Sequence, residues 1–189
     1  ITLRTRLFRH FMDSNGPPID TLPAPVIVAA ILTKLTCCKI MSPLERFKDL
    51  NIAYQGMFYP METDHMGHAN VRYYSRAFNE SAYFTFTTAD ITPNYMRENN
   101  RGMAAVTENY EYKREIMPGD LIQIRTCFIN FTPNSLHVWA IMIDACTDEI
   151  CAINDQVCVS LDTIARKSTP WPDAIFEKGK SLVKERPVF

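Results

Sequence analysis

The chain has 189 residues, 47% of them hydrophobic and 22% charged, and its twenty basic and twenty-one acidic side chains leave a formal net charge of −1. That length suits one domain with room for an added segment. The balance offers no broad basic surface for nucleic acid or an anionic membrane, so neither is expected as a partner. The longest apolar run, Ala24 to Leu32, falls far short of the ~20 residues that span a bilayer.

Residues 1–40 differ from the rest. They hold Pro17, Pro18, Pro23 and Pro25 within nine residues and a basic start with Arg4, Arg6 and Arg9. Sequence upstream of the true start, a removed targeting segment and a poorly ordered extension are three readings of this stretch. The preferred reading is a 1–40 extension without function, ahead of a domain over 41–189. Met41 followed by Ser42 and Pro43 resembles a native start, with Ser42 as N-cap and Pro43 in the first helical turn.

From Asn51 to Pro60 an aromatic and apolar run fits a strand closed by proline. A helix follows from about Asn70 to Thr87, because Val71, Tyr74, Phe78, Ser81 and Ala82 recur on one face. Thr92 and Pro93 open a second, short helix. Four strand candidates come next. In Met103–Arg114 the alternation puts Ala104, Val106, Glu108, Tyr110 and Tyr112 on one face. Pro118-Gly119-Asp120 turns the chain into Leu121–Phe131. Leu136–Ala145 is apolar on both faces and is expected at the sheet's centre. Cys151–Leu161 is the fourth, and Asp173–Glu185 reads as a terminal helix. Short turns between successive strands predict an antiparallel four-strand meander. Such a sheet must bury one face, and only the long helix can cover it. The six cysteines show no metal-ligand spacing and are read as reduced, buried thiols; no metal and no cofactor is expected.

The densest cluster of chemically able residues runs from Glu62 to Asn70, between the first strand and the long helix. A helix start carries unpaired N–H groups and the positive dipole end, which suit a developing oxyanion. Gly67 permits close approach to the backbone. Asp64 can act as nucleophile or general base, or Asp64 or Asn70 can cap the helix; both readings stand. His65 reads as a surface side chain, and His68 as catalytic or as helix-start packing. Tyr54, Phe58, Tyr73, Tyr74, Phe78 and Trp139 can line an aromatic pocket or fill the core.

The stretch from Asp64 to Ala82, with Arg101 to Asp120, resembles the hotdog-fold acyl-CoA thioesterases of the 4-hydroxybenzoyl-CoA and betainyl-CoA thioesterase-like branch. The motif D-x-x-G-H-x-N-x-x-x-Y is filled by Asp64, Gly67, His68, Asn70 and Tyr74, and Val71 stands where many members carry a second Asn. The likeness covers about residues 50–172. It implies an α+β hotdog fold, a curved antiparallel sheet of about five strands around one long helix, in a homodimer or homotetramer. It also implies hydrolysis of an acyl-CoA thioester in the cytoplasm, with Asp64, Gly67 and His68 catalytic and N–H groups near Gly67 and His68 holding the oxyanion. Asn70, Tyr74, Glu108, Arg101 and Arg114 would bind substrate, Arg97 and Lys113 being further phosphate candidates, and Glu80 would be structural. The alternative is an acyl-CoA-binding hotdog protein without catalysis; a hydratase ranks third, for want of a paired Asp/His signature.

Overall fold

A computed structural model describes residues 41–188, so expectations about 1–40, Cys37 and Cys38 included, lie outside it. Ser42 caps α1 (Pro43–Arg46) by accepting Glu45 N–H at 3.3 Å, as its sequence position predicts. Then come β1 (Asn51–Met57), α2 (Val71–Thr88), α3 (Pro93–Glu98), β2 (Arg101–Tyr112), β3 (Leu121–Phe131), β4 (Ser135–Asp144), β5 (Ile150–Asp162), the two-residue β6 (Lys167–Ser168) and α4 (Asp173–Ser181). Asn70 caps α2, its Oδ1 accepting Arg72 N–H at 3.0 Å.

The five long strands lie in the order β1-β3-β4-β5-β2, every pairing antiparallel, and β6 folds back on β5. The sheet curls around α2 in the α+β hotdog arrangement. β4 sits at the centre because both its faces are apolar. Leu136, Val138, Ala140 and Met142 face α2 and its surroundings, while Trp139, Ile141 and Ile143 pack with Phe47 and Cys127 in a separate cluster. Trp139 is thereby a core residue on the sheet face away from α2, not a pocket aromatic.

Two expectations need correction. First, β2 and β3 are not hairpin neighbours; β4 and β5 lie between them. Residues 113–120 form a crossing segment rather than a tight turn. Lys113 and Arg114 N–H bond Cys151 O, Ile116 O accepts Ala69 N–H, and Gly119 N–H and Asp120 O bond Phe58. Each of these partners draws the segment across the end of the sheet. Secondly, a bulge between Ala105 and Thr107 resets the alternation of β2. Met103 and Ala105 oppose Ser160 and Cys158, while Glu108, Tyr110 and Tyr112 oppose Gln156, Asn154 and Ala152. All of these share one face of the sheet. Ala104 leaves that face, and Val106 sits in the bulge, 58% exposed. Cys127, Cys151 and Cys158 are free and buried, but Cys146 is exposed, which corrects the expectation of burial there.

Tyr73, Tyr74, Ala77, Phe78, Ala82 and Phe86 form the buried face of α2, and Thr85 Oγ1 meets Thr126 Oγ1 of β3 at 2.6 Å. The crossing segment is pinned by Arg114, whose guanidinium lies 2.9 Å from Asp144, 3.0 Å from Glu149 and 3.4 Å from Asp120. Burial alone would push the Asp144 carboxyl up. The N–H groups of Thr147 and Cys146 and the Arg114 charge together outweigh that and hold it below the usual carboxylate range. A carboxyl with a lowered native pKa stabilises the fold above its unfolded value of about 3.9, and that contribution fades as the pH falls through the native value. Asp144→Asn is expected to lose roughly 1–3 kcal/mol at pH 7. The gap to wild type, followed by denaturant unfolding, should narrow below about pH 4; a gap independent of pH would count against the ion pair.

Candidate functional site

Asp64 lies on the loop between β1 and α2, which closes on itself like a short hairpin. Thr63 and Ala69 form an antiparallel bridge, with Asp64 N–H on His68 O at 3.0 Å and Asn70 N–H on Glu62 O at 3.0 Å. At the tip Gly67 has φ +84°, a conformation that favours glycine, and its N–H donates to Asp64 O at 3.1 Å. That N–H closes the turn, so it is not an open donor here. Among the described residues, His68 N–H and Val71 N–H have no acceptor, whereas Arg72 and Tyr73 N–H bond Asn70 Oδ1 and O.

The Asp64 side chain is about one-fifth exposed, and its Oδ1 accepts Met66 N–H at 2.8 Å. Oδ2 lies 3.8 Å from His68 Nδ1, and His68 Nε2 lies 3.8 Å from Glu115 Oε1. The three side chains border a cleft of about 360 Å³, together with Tyr74, Tyr112 and the start of α2 at Val71. Burial, reinforced by nearby Cys151, pushes the Tyr74 phenol up to about 12, so it remains a neutral hydroxyl across the ordinary pH range. Its ring meets Tyr112 edge-on at 5.0 Å.

A second, larger groove of about 1030 Å³ adjoins the cleft, sharing Val71 and Tyr112. Asn70, Arg72 and Arg76 line it from the helix side and Glu108 and Tyr110 from β2. Glu108 accepts Gln156 Nε2–H at 2.7 Å and Tyr110 O–H at 3.1 Å, so both its oxygens are oriented.

Of the residues singled out from sequence, Asp64, His68, Tyr74 and Arg114 thus meet at the cleft, while Asn70 and Glu108 face the groove. Arg114 reaches the cleft wall already surrounded by three carboxylates. Lys113 lines it too, paired with Glu111 at 2.7 Å. Arg101 stands at the other end of β2, opposite Asp162, and lines neither opening. Arg97 lies in the last turn of α3, bonded to Asn94. Glu80 is 44% exposed, 3.8 Å from Arg76, and lines neither opening; His65 is exposed. Sequence reasoning gave Val71 no place at the site, yet it lines the cleft and its backbone N–H has no acceptor among the described residues. It also passed over Arg72 and Arg76, though their i, i+4 spacing in the first turns of α2 puts both beside the loop.

What this arrangement can do is bring a carboxylate, open backbone donors and the positive end of an 18-residue helix to one cleft. Those are the elements of acyl transfer to water. Solved structures share the architecture. A hypothetical protein from Staphylococcus aureus in complex with CoA aligns with TM-score 0.65 at 12% identity over 74% of this chain and 90% of its own. A probable thioesterase from Escherichia coli gives 0.60 at 18% identity over 71% and 100%. A 1,4-dihydroxy-2-naphthoyl-CoA thioesterase from Synechocystis gives 0.60 at 12% identity over 68% and 94%. At these identities they speak for the fold alone. No curated protein matches the sequence. Residues 59–179, which take in the Asp64 loop, α2, α3, strands β2 to β6 and most of α4 but not β1, match the model of the thioesterase-like superfamily, and the chain belongs to that family.

Proposed function

We propose that the protein hydrolyses an acyl-CoA thioester to the free acid and coenzyme A, with Asp64 as the catalytic carboxylate. The observation that carries this reading is the Asp64 carboxylate, partly open to a cleft that also holds the start of α2. Asp64 removes a proton from water as it adds to the thioester carbonyl, or adds to that carbonyl itself to give an anhydride that water then opens. On either route the carbonyl oxygen becomes an oxyanion, for which His68 and Val71 N–H are the available donors. Collapse of that oxyanion breaks the C–S bond, leaving the acid directly or the anhydride for water to open, and the coenzyme A thiolate takes up the proton that the attacking water loses. Tyr74 shapes the cleft at the acyl carbon, and Asn70 holds the helix start in place.

The working unit proposed is a homodimer joined through β2. This strand ends the sheet, and Ala105 through Asn109 are exposed. An antiparallel pairing of β2 with its copy, centred on the strand, would bring the partner's Arg101 opposite Tyr112. That would set a cation beside the cleft, a place for coenzyme A phosphate. Glu108 would then lie near the two-fold, between the two sites. The four described free cysteines accord with a reducing, cytoplasmic setting.

Asp64→Asn keeps the shape and removes the base; turnover over a panel of short, long, aromatic and cationic acyl-CoAs should fall at least ~100-fold. Unchanged turnover would remove Asp64 from the chemistry. No turnover by the wild type, with acyl-CoA still bound, would favour the binding protein without catalysis. For the assembly, Val106→Glu sets like charges against each other across the proposed two-fold. Light scattering at micromolar concentration should then show the dimer giving way to monomer; a wild-type monomer would refute the β2 pairing.

A further inference from the structure

Glu62 and Arg76 take no part in the steps above, yet they connect the loop that carries Asp64 to α2. Glu62 stands at the base of that loop. Its C=O accepts Asn70 N–H, its Oε2 accepts Tyr59 N–H at 3.1 Å, and its Oε1 pairs with the Arg76 guanidinium. Arg76 lies on α2 six residues beyond the cap, with its guanidinium 5.5 Å from the centre of the Tyr73 ring. Tyr73 is buried and edge-on to Phe58 at 4.8 Å, so the cation rests on a ring that the core holds still.

The internal bonds of the loop fix its shape; they do not fix where the loop sits against the helix. Asp64 N–H on His68 O and Gly67 N–H on Asp64 O are both contained within it. The links outward are the Ala69 N–H bond to Ile116 O, the 3.8 Å approach of His68 Nε2 to Glu115, the covalent run into α2 at Asn70, and the Glu62–Arg76 pair. Of these, only the pair ties the 3-10 turn that precedes Asp64 (Pro60–Glu62) to α2 through side chains.

We infer that the Glu62–Arg76 pair is a positioning clamp, setting the Asp64 carboxylate against the N–H donors at the start of α2; this rests on the thioesterase reading of the site. The magnitudes separate a clamp from a stabilising surface pair. Arg76 is 51% exposed, and exposed ion pairs add little to folding. A reacting group misplaced by about 1 Å can nevertheless cost on the order of 100-fold in rate. The clamp's signature is therefore a loss of kcat out of proportion to any loss of stability. A cation that instead gripped the substrate would act on KM.

Arg76→Ala and Arg76→Lys, compared with wild type, test this by steady-state kinetics, thermal unfolding and amide hydrogen exchange of residues 64–68. In Arg76→Ala, kcat should fall about tenfold with KM within about twofold and Tm within a few degrees. Arg76→Lys should recover most of kcat, and the loop amides should exchange faster in the Ala variant alone. A higher KM with unchanged kcat would make Arg76 a substrate ligand and overturn the clamp, as would unchanged exchange in Arg76→Ala. If the wild type hydrolyses no thioester, the catalytic reading fails, and the exchange measurement still decides whether the pair holds the loop.

Discussion

Among the described residues α2 is the one helix longer than nine residues, and it has a single wide apolar face to bury. Tyr73, Tyr74, Phe78 and Phe86 on that face are each 5% exposed or less, and burying side chains of that size contributes roughly 1.5–3 kcal/mol apiece. Among the described residues it is the sheet that hides that face, and it does so by curling over it. Once the axis of α2 is set by this contact, its first turn must emerge at one end of the sheet. The Ala69 N–H bond to Ile116 O fixes which end, since Ile116 belongs to the segment that leaves β2 for β3. The site is where it is because the helix has to be buried where it is.

The crossing segment, residues 113–120, shows how one connection serves fold and site together. It carries the chain past β5 and β4, contributes Lys113, Arg114 and Glu115 to the cleft wall, and anchors the helix start through Ile116. Eight residues cover at most about 26 Å, and three strand spacings need about 14 Å, so the segment has slack for one detour inward. Ile116 makes that detour and is fully buried against Phe58, Tyr73 and Tyr74.

How far this could be read from the sequence depended on whether the signal was local. The α2 period, the Ser42 cap and the two-faced apolarity of β4 are local, and the structure carries them as expected; the sequence offers Asp64 and Asn70 alike as caps of α2, and the structure uses Asn70. The β2–β3 pairing failed because Pro118-Gly119-Asp120 has the composition of a hairpin turn. What prevents the hairpin is distant: β5 takes β2 as its edge partner, and Phe58 takes Gly119 and Asp120. The bulge at Val106 was equally hidden, because one inserted residue leaves composition unchanged and alters only which side chains share a face. In the Asp64 loop the motif located the carboxylate, but donors were assigned by residue name. The backbone leaves His68 N–H open and adds Val71, an unremarkable letter, while Gly67 N–H closes its own turn.

Charge compensation around the cleft leads one step further. Arg114 is surrounded by Asp120, Asp144 and Glu149, Arg76 is matched by Glu62, and Lys113 by Glu111. Each cation sits so close to a carboxylate that little of its field remains for an incoming phosphate. Beside Asp64 this leaves the start of α2 and Arg72, whose guanidinium has no partner among the described residues. A helix start and one exposed arginine suit a single developing oxyanion better than the several phosphate charges of coenzyme A. On the proposed coenzyme A reading, a further cation is needed beyond those that the described residues bring to the cleft. β2 is the edge from which a second copy could supply one, and that shortfall of positive charge is an argument for pairing independent of the exposed strand itself.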